Sequence, residues 1–81
     1  MSALHLTVHY LGIDAGWEGE TPDPYGDLSF QDRLISELTW LSDRGVSDRA
    51  LDEIRDAYHH EWRKGHRRGV TYRQNAEGGR S

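Results

Sequence analysis

The chain has 81 residues, of which 35% are hydrophobic, with no cysteine and a net charge of −4. That length holds one domain with a small core, so help from a partner or from self-association is expected. The lack of cysteine excludes disulfide staples and thiolate metal sites and fits a cytoplasmic compartment, and no stretch approaches the ~20 apolar residues of a membrane span.

Residues Ala3 to Leu11 alternate, with Leu4, Leu6, Val8 and Tyr10 on one side and His5, Thr7 and His9 on the other. This period of two predicts a strand whose first set faces the core. His5 and His9 would then share a face, roughly 13 Å apart along the strand and too far for one metal ion.

Gly12 to Leu28 follows as a predicted loop, rich in glycine (Gly12, Gly16, Gly19, Gly26) and holding both prolines, Pro22 and Pro24. A loop of this length in a small domain is usually functional or mobile. Its acids align only in part with a calcium loop starting at Asp14: Glu18 and Gly19 fit, but Tyr25 stands where the bidentate acid belongs. No metal and no cofactor are therefore expected. Trp17 and Tyr25 amid these acids suggest a protein-contact loop or a flap lying on the helices.

The segment from Ser29 to Gly65 carries the strongest pattern, two antiparallel helices joined by a tight turn. Ser29 and Asp32 suggest an N-terminal cap. Phe30, Leu34, Ile35, Leu38 and Leu41 then fall on one arc at ~100° per residue. Gly45 suits a left-handed stop, and Ser47 can cap the second helix with Val46 stapled onto Leu51. Leu51, Ile54, Tyr58 and Trp62 form its apolar stripe. Trp40 lies well off the apolar arc of the first helix, either as an exposed anchor for a partner or covered by another part of the chain.

Gly69 to Gln74, with Val70, Thr71 and Tyr72, predicts a second short strand. The expected fold class is α+β: an antiparallel helical hairpin on a two-stranded sheet, as a single domain over residues 1–74 with a flexible tail at 75–81.

Charge is polarised along the chain. Residues 1–32 hold six acids and no Lys or Arg, whereas residues 63–81 hold six basic residues against Glu77. Either the two ends attract each other within the fold, or each faces a partner.

Catalytic signals are weak. Asp56 and His60 stand one helical turn apart, but the His-Glu-x-x-His pattern of zinc proteases is not met, no glycine-rich phosphate loop is present, and no nucleophile has a suggestive context. No catalytic residue is assigned and no enzyme is expected.

The run from Leu38 to Ile54 resembles the core of helix-turn-helix DNA-binding proteins, with Gly45-Val46-Ser47 at the turn and Leu51 and Ile54 at the buried spacing. The resemblance implies a second helix that enters the major groove. The first residues of that helix include Asp48, Asp52 and Glu53, which phosphates repel, so its basic C-terminal end would grip the backbone instead.

The leading expectation is a small non-enzymatic binding protein. It would regulate or inhibit a larger protein by docking on it, in the style of phage-type accessory proteins. The candidate partner-binding residues are Trp17, Tyr25, Trp40, Arg63, Lys64, Arg67 and Arg68. DNA binding is the second expectation, and a homodimer is compatible with either.

Overall fold

The computed structural model describes the backbone of residues 3–78 and the side chains of residues 6–78. It contains three α-helices, α1 (Ala3–Trp17), α2 (Leu28–Asp43) and α3 (Asp48–Gly78), with a short 3-10 turn at Pro24–Gly26 before α2. Among the described residues there is no strand, and the fold is a three-helix arrangement rather than α+β. The two segments assigned to a sheet are helix: Ala3–Leu11 lies in α1 and Gly69–Gln74 continues α3. The chain forms an elongated body of 55 × 23 × 16 Å, its long dimension set by the 31 residues of α3, which span about 46 Å at ~1.5 Å per residue.

The hairpin of α2 and α3 follows its apolar stripes, except that Ile35, expected at the edge of the α2 arc, is exposed. Phe30, Leu34 and Leu38 from α2 meet Leu51, Tyr58 and Trp62 from α3 in one buried cluster, with Val8 and Ala15 contributed by α1. Trp62 and Phe30 lie at its centre, 1% and 0% exposed, with near-parallel rings 6.3 Å apart. Burying a side chain of this size contributes about 1.5–3 kcal/mol.

Both short helices end on a left-handed glycine. Gly45 (φ +88°) follows α2, Gly19 (φ +77°) follows α1, and both turns close in the same way. Gly45 N donates to Ser42 O and Val46 N to Leu41 O; Gly19 N donates to Gly16 O and Glu20 N to Ala15 O. This double bond pattern satisfies the last helical carbonyls and needs a residue that tolerates positive φ. Ser47 then caps α3, its Oγ accepting from Ala50 N. At the start of α2 the cap is Asp27 rather than Ser29, since Asp27 Oδ1 accepts the Phe30 amide at 3.1 Å.

Two antiparallel reversals leave α1 parallel to α3, and the contact between them is backbone on backbone. A Cβ placed on Gly12 would lie 2.1 Å from Trp62 O, and one on Gly16 would lie 2.1 Å from His66 O. From the other side, a Cβ on Gly65 would meet His9 O at 2.2 Å and one on Gly69 would meet Ile13 O at 2.0 Å. Paired glycines four apart on each helix interlock, a small-residue seam of the kind that lets helices approach closely. Glycines that resemble loop punctuation in the sequence are therefore the α1–α3 contact. The loop expected from Gly12 to Leu28 shrinks to the connection between Trp17 and Leu28.

Candidate interaction site

The connection between α1 and α2 is tied to α3 by a row of polar side chains. Trp62 Nε1 donates to Asp27 Oδ2 at 2.9 Å, so one carboxylate both caps α2 and satisfies a buried indole. His66 Nε2 lies 2.7 Å from Glu20 O; a carbonyl only accepts, so this nitrogen carries the proton. The Gln31 amide donates to Pro24 O at 2.9 Å and faces His59 Nε2 at 3.5 Å. His59 is buried, with Tyr25 edge-on at 4.7 Å and Phe30 at 5.5 Å. Burial, reinforced by the positive charge of Arg63, lowers the His59 pKa below its ordinary 6.5, and Asp56 offsets only part of this. A neutral imidazole accepting from Gln31 agrees with that direction. These residues hold the connection in place, which makes them structural.

The candidate partner-binding residues fall on separate surfaces. Trp17, the last residue of α1, is 44% exposed, and its carbonyl accepts from Arg73 Nη1 at 2.8 Å. Tyr25 is exposed on the 3-10 turn but leans on His59. Trp40 is 51% exposed on the outer side of α2. Because α2 runs antiparallel to α3, Trp40 lies level with the first turns of α3, whereas Trp17 lies beside Arg73 near its other end. About twenty residues of helix separate those levels, roughly 30 Å at ~1.5 Å per residue. The three aromatic residues do not converge on one surface.

Three of the four basic candidates do converge. Lys64, Arg67 and Arg68 line a shallow groove on α3 with Thr71 and Tyr72. Arg63 is exposed but not among its lining residues. Lys64 pairs with Glu61 at 3.3 Å. Arg68 Nη1 donates to His9 Nε2 at 3.3 Å, which leaves the His9 proton on Nδ1, 2.8 Å from Glu61 Oε1 but outside hydrogen-bond geometry. The acidic and basic segments thus sit side by side, since the connection carrying Glu18 and Glu20 crosses α3 at His66 and Arg73.

Around Trp40 the surface is concave. Asp32, Arg33, Ser36, Glu37 and Trp40 line a shallow, wide-open groove along one face of α2. The Arg44 guanidinium carbon sits 4.0 Å from the centre of the Trp40 ring. A cation over an indole contributes about 0.5–1 kcal/mol at an exposed site. It also restricts the ring before any partner arrives, which lowers the entropic cost of docking. A half-exposed Trp held in place beside a concavity is an anchor geometry.

Chemistry is sparse elsewhere. Asp56 and His60 are exposed on the outer side of α3, and the side chain of His5 lies outside the described residues. Among the described residues no three His, Asp or Glu side chains gather where they could hold a metal ion, and no helix is long and apolar enough to cross a membrane.

The strand reading of Leu6 and Tyr10 concealed a further surface. Both were expected on the core, yet they are 50% and 62% exposed on α1, and Tyr72 is 48% exposed on α3. Spacing by three and four from Leu6 to Trp17 was the signal that could have shown it. Compared with known proteins, the chain matches no protein family, no curated protein and no solved structure.

Proposed function

We propose that this chain is a small, non-enzymatic binding protein that regulates or inhibits a larger protein by docking on it, with Trp40 as the anchor. The carrying observation is the placement of Trp40: half exposed, held under Arg44, and lining a shallow groove on α2 with Asp32, Arg33, Ser36 and Glu37. Trp and Arg are the residues most enriched in binding hot spots, and rigid aromatic anchors seated near a concavity carry most of their energy. The alternating charges of Asp32, Arg33 and Glu37 suit a partner surface with a polar rim around an apolar pocket for the indole. The lack of cysteine supports action in a reducing, cytoplasmic setting.

The test is affinity capture from an extract of the source organism, run in parallel with wild-type protein and Trp40→Ala. The expected result is one partner retained by the wild type and lost with the variant, then reproduced with purified components. Equal retention by both proteins overturns the assignment to Trp40.

A second reading, nucleic-acid binding, is favoured by the groove of Lys64, Arg67 and Arg68 beside Tyr72. Cations gathered this way grip phosphates without reading sequence. Titration with random duplex DNA separates the two readings. Tight binding at low salt that falls steeply as salt rises would bring DNA binding to the front.

A further inference from the structure

We propose that the outer face of α1 is the seam of a homodimer in which two copies of α1 lie parallel about a twofold axis. Leu6, Tyr10, Ile13 and Trp17 stand at intervals of four, three and four, the heptad spacing of a coiled-coil seam. Leu6, Tyr10 and Trp17 are about half exposed and Ile13 is partly exposed. The rest of the helix is already used, by Val8 and Ala15 in the core and by Gly12, Gly16 and the backbone of His9 and Ile13 against α3, which borders the seam on one flank. The helix is therefore apolar on both sides, a pattern that belongs to a buried helix. One side is buried within the protomer and the other is left for a partner.

The charges bordering this seam select a second copy as its occupant, and select the parallel arrangement. One edge carries the exposed acids Asp14 and Glu18. The other edge carries His9, with Arg68 of α3 against one ring nitrogen at 3.3 Å and Glu61 2.8 Å from the other; Lys64 pairs with Glu61, so Arg68 leaves this edge net basic. Two such faces meeting in parallel about a twofold axis place the Arg68 edge of each protomer against the Asp14 edge of its partner. Two faces meeting antiparallel would set acid against acid and base against base. The register agrees: His9 precedes Asp14 by five residues, the interval across which facing edge positions of parallel helices pair. Opposite charges across a seam fix register and suppress the wrong orientation.

The absence of cysteine makes the orientation directly measurable. Leu6→Cys and Trp17→Cys, each made singly in the full chain, are expected to form a disulfide-linked dimer on mild oxidation, because a parallel twofold seam sets each residue opposite its own copy. Cross-linking only when the two variants are mixed would show an antiparallel pair and overturn the proposal. Sedimentation equilibrium across the micromolar range is expected to show a monomer–dimer equilibrium. Tyr10→Glu, with unchanged helical circular dichroism, is expected to shift it to monomer. Asp14→Arg is expected to weaken association roughly five- to tenfold, and pairing it with Arg68→Asp is expected to recover most of the loss. A wild-type chain that stays monomeric, or a Tyr10→Glu dimer as tight as the wild type, would show that this face has no second copy on it. Neither outcome depends on Trp40, so the docking proposal stands or falls separately.

Discussion

The indole nitrogen of Trp62 donates to Asp27 Oδ2 at 2.9 Å while Asp27 Oδ1 accepts from the Phe30 amide at 3.1 Å. One carboxylate thus joins the centre of α3 to the first turn of α2. Asp27→Ala removes the helix cap, worth about 1 kcal/mol, and leaves a buried indole N–H without an acceptor, at about 1–3 kcal/mol. Urea denaturation is expected to show a loss of about 2–4 kcal/mol, with Asp27→Asn retaining part of it. Such a loss is a large fraction of the stability of a small domain.

The α1–α3 seam gives a sharper expectation, because the same substitution has opposite effects at different glycines. Gly16→Ala and Gly65→Ala each place a methyl group about 2 Å from a backbone carbonyl oxygen of the facing helix. Backbone cannot swing aside as a side chain can, so the helices must separate. The overpacking cost of about 1–3 kcal/mol outweighs the helix-propensity gain of about 1 kcal/mol, and separation also uncovers part of the core. Each variant is expected to lower the thermal midpoint or prevent folding. Gly78→Ala, with nothing within 4 Å, is expected to be neutral or slightly stabilising.

This seam is also where sequence and structure part company. The hairpin was readable because Phe30, Leu34 and Leu38 on one helix and Leu51, Tyr58 and Trp62 on the other each repeat at helical spacing. Gly45 marked the turn through its need for positive φ. In α1 the same logic misled. A helix with apolar residues on both sides offers no contrast, so Leu4, Leu6, Val8 and Tyr10 imitate the alternation of a strand. Gly12, Gly16, Gly65 and Gly69 weaken helix propensity locally, yet they permit the contact that holds the helix. Val70 and Tyr72 favour strands on average, but continuation of α3 against α1 decides their state. The angle of Trp40 places it off the apolar arc but leaves open whether another part of the chain covers it; its exposure and the groove beside it depend on packing that spacing does not specify.

Acidification is expected to destabilise the fold partly through His59. Its folded pKa lies below the unfolded 6.5 because of burial and the charge of Arg63. Below pH 6.5 the unfolded chain therefore binds a proton that the folded chain excludes, so stability falls as pH drops toward and through the lowered value. Above pH 6.5 this contribution is fully present and flat. Denaturation midpoints measured from pH 8 to pH 5 check the sign. His59→Gln, which keeps a polar group facing Gln31 but does not titrate, is expected to remove that part of the slope.

Trp40→Ala is expected to leave the fold almost intact. The side chain is 51% exposed and its ring contact with Arg44 is worth about 1 kcal/mol at most. Thermal denaturation of Trp40→Ala and of Arg44→Ala should therefore show shifts of only a few degrees. A collapse in stability would mark Trp40 as structural instead.

The docking account meets its most direct test in calorimetric titration of the purified partner with wild-type protein and with folded Trp40→Ala. The account expects the variant to bind at least about 30-fold more weakly, the ~2 kcal/mol loss that defines a hot-spot anchor. Equal affinities for the two proteins would contradict it.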